Sequence, residues 1–250
     1  MKIRFIGTGA ADHDWSRYGS PDVLGSAATL IDDHILIDCG PTVAAALKRF
    51  DVDTEKITDI LITHNHSDHF DLRVLKELTA GRKVWLHGSP QVCQAACAFC
   101  QVHTLHWGVK FRAGVYEILP MESNHAVDDP TEETYCYLFS GEGKNLLYAL
   151  DTAWFPSRAC KMLGKTRLDA VVWDATMSEP GDWRIFDHSD GLMFNIQRQV
   201  FIRRGNMDEN TKIFFDHRAR TLWPADPEEQ EKIARRENVL LAHEGETVII

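Results

Sequence analysis

The sequence predicts an α/β protein built as a four-layer αββα sandwich, two mixed β-sheets with helices on the outer faces. Three observations carry this. Short β-branched runs alternate with helical stretches along the 250 residues. The second half loosely repeats the order of the first, a β-hairpin followed by βα units. No Pro/Gly/Ser linker, low-complexity tract or short repeat interrupts the chain, so residues 1–250 read as one domain.

The elements follow in order. KIRFIG (2–7) alternates like a strand and leads into a polar loop through Asp14, Tyr18 and Pro21. SAATLI and HILID flank Asp32-Asp33, a hairpin turn. Residues 41–50, PTVAAALKRF, place Pro at a helix start before an Ala-rich body. ITDILIT reads as a buried strand and DLRVLKELT as a helix. QVCQAACAFC reads as a helix with Cys93, Cys97 and Cys100 on one packed face, against the iron–sulfur reading that their spacing invites. TYCYLFS and NLLYAL flank the turn Gly141-Glu142-Gly143. LDAVVWDA and TKIFFDH are inner strands, 189–204 and 226–236 are helices, and NVLLAHEGETVII is expected to form a final hairpin.

Composition narrows the function. Twenty-seven Lys+Arg against 37 Asp+Glu give a formal charge of −10, which repels phosphate backbones and disfavours structured RNA as a partner. MKIRFIGTG shows no apolar signal core and no run approaches a membrane span, so the expectation is a cytoplasmic protein with no membrane partner. Its six cysteines are then reduced thiols. A homodimer stays open.

The informative segment is Thr63-His64-Asn65-His66-Ser67-Asp68-His69, directly after ITDILI. Period-two alternation at a strand end points His64 and His66 to one side. The first residues of a following helix, Asp68 and His69, can reach back to the same point. Three imidazoles and a carboxylate within six residues are costly to bury in a core and well suited to a divalent metal such as zinc. The competing reading is a solvated His-rich turn.

HxHxDH after a buried strand resembles the metallo-β-lactamase superfamily of metallohydrolases. That resemblance extends to His125 after VYEILPMESN, Asp151 after NLLYAL, His217 after TKIFFD, and Asp38 after HILI as a supporting group. It implies two divalent metal ions per chain, zinc or alternatively manganese or iron. His64, His66 and His125 would hold one and Asp68, His69 and His217 the other, with Asp151 joining both and a hydroxide shared between them. Flavodiiron relatives carry Glu where this chain has His66, and common zinc β-lactamases lack the bridging Asp, so hydrolysis of another ester class is implied.

Phe5-Ile6-Gly7-Thr8-Gly9-Ala10 resembles the opening of the tRNase Z/PhnP-like phosphodiesterase branch, where the glycine turn would let amides approach an anion. His188, in Phe186-Asp187-His188-Ser189-Asp190, matches that branch's non-ligand histidine, the acid for the departing oxygen; a loop histidine beside a helix cap is the alternative. The expected catalytic residues are therefore Asp68 and His188. The expected substrate is a small anionic molecule, a phosphodiester of cyclic or linear form. A long basic tRNA-clamping arm and an N-terminal cysteine cluster, features of branch members, are absent from the sequence. A lactonase or other ester hydrolase remains an alternative, as does a non-catalytic metal-binding protein. Arg218 and Arg220 are minor anion-binding candidates. His13, Tyr18, His103, His106, Trp107, Trp154 and Phe155 read as rim or packing residues.

Overall fold

The computed structural model describes residues 1–250 and divides into two compact units, each holding one seven-stranded sheet. The first comprises Met1–His106, Val127–Thr134 and His243–Ile249, the second Trp107–Ala126 and Tyr135–Ala242. No helix is long and apolar enough to cross a membrane.

In the first unit β1 (Lys2–Gly7), β2 (Ala28–Ile31) and β3 (Ile35–Ile37) run antiparallel. β4 (Asp59–Leu61), β5 (Trp85–Gly88) and β6 (Gln101–Thr104) then add parallel to β3. The β2–β3 turn is as expected: Asp32 and Asp33 both have positive φ, 49° and 64°, the backbone twist that a two-residue hairpin needs. Helices α1 (Val43–Arg49), α2 (Leu72–Thr79) and α3 (Pro90–Ala96) make the three parallel crossovers. Leu36, Ile60 and Leu86 of the strands form one buried cluster with Leu47, Leu75 and Val92 of the helices. α2 starts at Leu72 because Asp71 caps it, accepting from Arg73 N at 2.8 Å.

Two expectations need correction here. Asp68 and His69 lie in a turn before α2, where His69 N and Phe70 N both donate to His66 O, rather than in the helix itself. α3 ends at Ala96, so Cys93 is buried, Cys97 caps the helix exposed and Cys100 lies beyond it. The three thiols do not share a packed face.

The second unit holds β7 (Phe111–Ala113), β8 (Tyr116–Glu122), β9 (Tyr135–Gly141) and β10 (Lys144–Ala149), all antiparallel. β11 (Ala170–Asp174), β12 (Lys212–Asp216) and β13 (Leu240–Leu241) continue parallel from β10. α4 (Ser157–Leu163), α5 (Gly191–Arg204) and α6 (Pro227–Glu237) connect them. Trp173 anchors this core, its ring 5.4 Å from Phe194 and 6.1 Å from both Phe155 and Phe201.

The final segment is not a hairpin. Leu240–Leu241 emerges from α6 and lies parallel beside β12, as a strand returning through a helical crossover must. The last strand, β14 (Thr247–Ile249), instead pairs antiparallel with β1 at the edge of the first sheet, Lys2 facing Ile249.

Gly40 shows how tightly the first unit is closed around its histidine motif. A Cβ there would lie 1.8 Å from Asp68 O, so only glycine lets the 38–40 loop touch that turn. Gly40→Ala is expected to cost about 1–3 kcal/mol or more, as overpacking does, and to displace the 66–69 turn; denaturant midpoint and metal retention are the readouts.

Candidate metal centre

In the first unit the loops after β3 and β4 meet. Asp38, buried and with φ 64°, accepts from Thr63 N at 2.8 Å and from Thr63 Oγ1 at 2.9 Å. Its other oxygen lies 2.8 Å from His69 Nδ1. Thr63 Oγ1, having donated to Asp38, faces His64 Nδ1 at 3.0 Å as an acceptor. His64 Nε2 and His66 Nδ1 converge to 3.1 Å, and His69 Nε2 lies 3.3 Å from Asp68 Oδ2. All four predicted residues of the motif therefore gather at the carboxyl end of this sheet, where open α/β sheets place their sites.

In the second unit a further group of side chains stands at the ends of β8, β10, β11 and β12. Asp151 follows β10, is 3% exposed, and has φ 46°. Its Oδ1 is 3.5 Å from His217 Nε2, 3.3 Å from His188 Nδ1 and 3.9 Å from His125 Nε2. His217 Nδ1 is 2.8 Å from Thr176 Oγ1, and His125 Nδ1 donates to Asp187 O at 3.3 Å. Asp151, Asp174, His188 and His217 offer ligand atoms within 4.8 Å of one another, a spacing one cation can bridge.

One regularity runs through both clusters. In His64, His69, His125 and His217 the Nδ1 is engaged by a neighbouring oxygen, leaving Nε2 as the inward lone pair. Metal-binding histidines are held in this way, the outer N–H fixing tautomer and ring orientation. The backbone agrees. Eight non-glycine residues have positive φ; five are hairpin or helix-end residues, and the other three are Asp38, Asp151 and His217. Strained backbone at strand ends, persisting only where the surroundings impose it, concentrates at functional sites.

Asp174 was not anticipated from the sequence. Its Oδ2 accepts from His188 Nδ1 at 2.9 Å, and its Oδ1 accepts from Thr176 N at 2.8 Å. Burial works against charge on His188, and the Asp174 and Asp151 carboxylates outweigh it, so its pKa is raised. Asp174 ends β11 opposite Asp216 of β12, a register that only the folded sheet supplies.

Other candidates resolve differently. Gly9 N donates to Gly25 O, and a Cβ on Gly7 would meet Ser26 O at 2.1 Å, so these glycines serve close packing and Gly9 N does not offer itself to an anion. Arg218 is buried with Nη2 on Ala242 O, while Arg220 is exposed. His13 accepts from Leu24 N, and His103 packs edge-on to His87 in the first sheet. His106 is exposed near Glu133, and Trp154 is half exposed beside the core residue Phe155.

Asp38→Ala is expected to weaken metal binding about 10–100-fold, the usual cost of losing an outer carboxylate partner, with metal titration as the check.

Comparison with known proteins places these features. Residues 33–202, more than half the chain, match the family described as the beta-lactamase superfamily domain. Three solved structures share the fold along essentially the whole length. They are zinc-bound PqqB from Methylobacterium extorquens (TM-score 0.70, 14% identity, 100% of each chain), the metallo-β-lactamase fold protein YhfI from Bacillus subtilis (0.75, 14%, 99% and 98%), and a diphosphatase from the PhnP family (0.71, 19%, 100% and 97%). A curated relative, the anti-Pycsar protein Apyc1 of Bacillus phage BSP38, is 37% identical over 70 residues; the match spans 27% of this chain and only a quarter of that protein. The chain therefore belongs to the beta-lactamase superfamily and has the metallo-β-lactamase fold.

Proposed function

We propose that this hydrolase uses two divalent metal ions to cleave a small phosphodiester, cyclic or linear. The residues to hold the metals are His64, His66 and His125 for one, Asp68, His69 and His217 for the other, with Asp151 shared. The donor chemistry fits: neutral imidazoles and carboxylates suit zinc, manganese or iron. The observation that carries the reading is the shared Nδ1 tethering of four histidines, which a mere packing role would not require. Two such ions would supply Lewis acidity toward the phosphoryl oxygens and lower the pKa of an attacking water.

The chain's own residues do the rest. Asp38 and Thr63 fix the rings of His69 and His64, while Thr176 and Asp187 O fix those of His217 and His125. His188 donates its Nδ1 proton to Asp174, which orients the ring and favours its protonated form. Nε2–H is then the acid: as a hydroxide oxygen bonds to phosphorus and the P–O bond to the leaving group breaks, that proton passes to the departing oxygen. The resemblance to a PhnP-family diphosphatase supports phosphoryl rather than acyl transfer.

Paired assays with bis-p-nitrophenyl phosphate and a simple lactone test the reading. Chelator-sensitive turnover of the phosphodiester, well above that of the lactone, is expected. Preference for the lactone would make the protein an acyl-ester hydrolase, and no turnover of either with metal bound would favour a non-catalytic role.

A further inference from the structure

We infer that Glu132, on the loop between β8 and β9, is a positioning residue for the metal assigned to His64 and His66, holding the backbone between them so that their rings converge. The inference rests on the metal assignment proposed above. Glu132 is 7% exposed and lies in the Val127–Thr134 segment that belongs to the first unit. Its Oε1 accepts from Ser89 Oγ at 2.8 Å, and the Asn65 backbone N–H is turned to the same carboxylate. Ser89 follows β5 and Asn65 follows β4, neighbouring parallel strands whose register pairs Leu61 with His87. One carboxylate thus ties together two loops at the carboxyl end of the sheet, and one of them is the histidine motif.

His66 is the ring that most needs such a hold. His64, His69, His125 and His217 are oriented by an oxygen at Nδ1, which leaves Nε2 inward. His66 is turned the other way, its Nδ1 lying 3.1 Å from His64 Nε2. Nδ1 is the ring nitrogen nearer the backbone, so a displaced main chain carries it along. Beyond His66 the main chain is fixed already, since His66 O accepts from His69 N at 3.0 Å and Phe70 N at 2.9 Å. Glu132 supplies the corresponding hold ahead of it, at the peptide joining His64 to Asn65.

Glu132 is itself held firmly. Its N donates to Asp129 O at 3.0 Å, and Asp129 Oδ2 accepts from Gln91 Nε2 at 2.8 Å. Ser89 Oγ accepts from Val92 N at 3.2 Å, capping α3. The arrangement carries a cost that packing alone does not require. Burial pushes the Glu132 pKa up, against the pull of Ser89 and Asn65. An apolar side chain would fill this place without that penalty. The need for an acceptor beside the motif accounts for the carboxylate.

Hydrogen exchange at the Asn65 amide of the metal-free chain, with cobalt titration of the same proteins, tests this. Glu132→Met keeps the bulk of the side chain and removes the acceptor. It should speed Asn65 exchange at least about tenfold, the worth of a hydrogen bond to a charged group. Cobalt binding should weaken about 10–100-fold with an altered visible spectrum, as when a partner outside the ligand shell is lost. Glu132→Ala should do likewise; near-UV circular dichroism checks folding, and should one variant misfold the other decides. Glu132→Gln keeps an acceptor oxygen and should bring both readouts to within about fivefold of the wild type. Asp129→Ala loosens the same loop without touching Asn65 and should leave cobalt binding within about fivefold. A wild type that binds no cobalt overturns the metal assignment and this inference with it. Cobalt binding or Asn65 exchange unchanged in the acceptor-free variants overturns the inference and leaves the metal assignment standing. Equal loss of cobalt binding in Asp129→Ala or in Glu132→Gln does the same.

Discussion

Asp151→Asn is expected to lower turnover by about 10²–10⁴-fold and to reduce the metal bound per chain, with little loss of stability in the metal-free form. Asparagine is the informative replacement. Asp151 sits at φ 46°, a left-handed conformation that Asn tolerates and that strains most other residues. The side chain keeps its shape and loses only its charge. Its Oδ1 is approached by ring nitrogens of His125, His188 and His217, so neutralising it removes the anion those three rings converge on. In the metal-free protein the same change relieves a buried carboxylate that lies in one cluster with Asp174. The metal-free variant should therefore melt no lower than the metal-free native protein, the trade of stability for function typical of such sites. Calorimetry on both metal-free proteins, with metal analysis and kinetics on the loaded ones, separates the two effects.

His188→Ala is expected to cost about 10²–10⁴-fold in turnover, with metal content unchanged. The loss should depend on the leaving group. An alkoxide departs badly without a proton, whereas p-nitrophenolate departs readily, so the deficit should be large for an alkyl phosphodiester and small for the aryl one. Asp174→Asn should reproduce this dependence in weaker form, because Asp174 orients the His188 ring through a 2.9 Å hydrogen bond and does not itself donate to substrate. A deficit equal for both leaving groups would assign His188 to binding or metal retention instead.

Much of this was legible in the residues, for identifiable reasons. The hairpins at Asp32-Asp33 and Glu142-Gly143 announce themselves because their turns need positive φ and carry residues that accept it. The His64–His69 motif stands out because three imidazoles and a carboxylate at that density have no good apolar home. What sequence did not reveal depends on tertiary pairing. The tail's two close apolar runs suggest a hairpin, but strand direction is set by the α6 crossover, which sends Leu240–Leu241 to β12 and frees Thr247–Ile249 for β1. Asp174 carries no mark in the sequence, since a lone aspartate at a strand end is ordinarily a turn or cap residue, and its contact with His188 exists only in the fold. Conversely, the glycines at 7 and 9 carried a family resemblance whose anion-cradle reading gives way to close packing against residues 25 and 26.

Metal analysis of the purified chain, before and after chelation and parallel with activity, addresses the central claim most directly. The account predicts about two divalent ions per chain, loss of turnover when they are stripped, and recovery on adding them back. A chain that holds no ion after loading, or that hydrolyses its substrate undiminished with every ion removed, would contradict it.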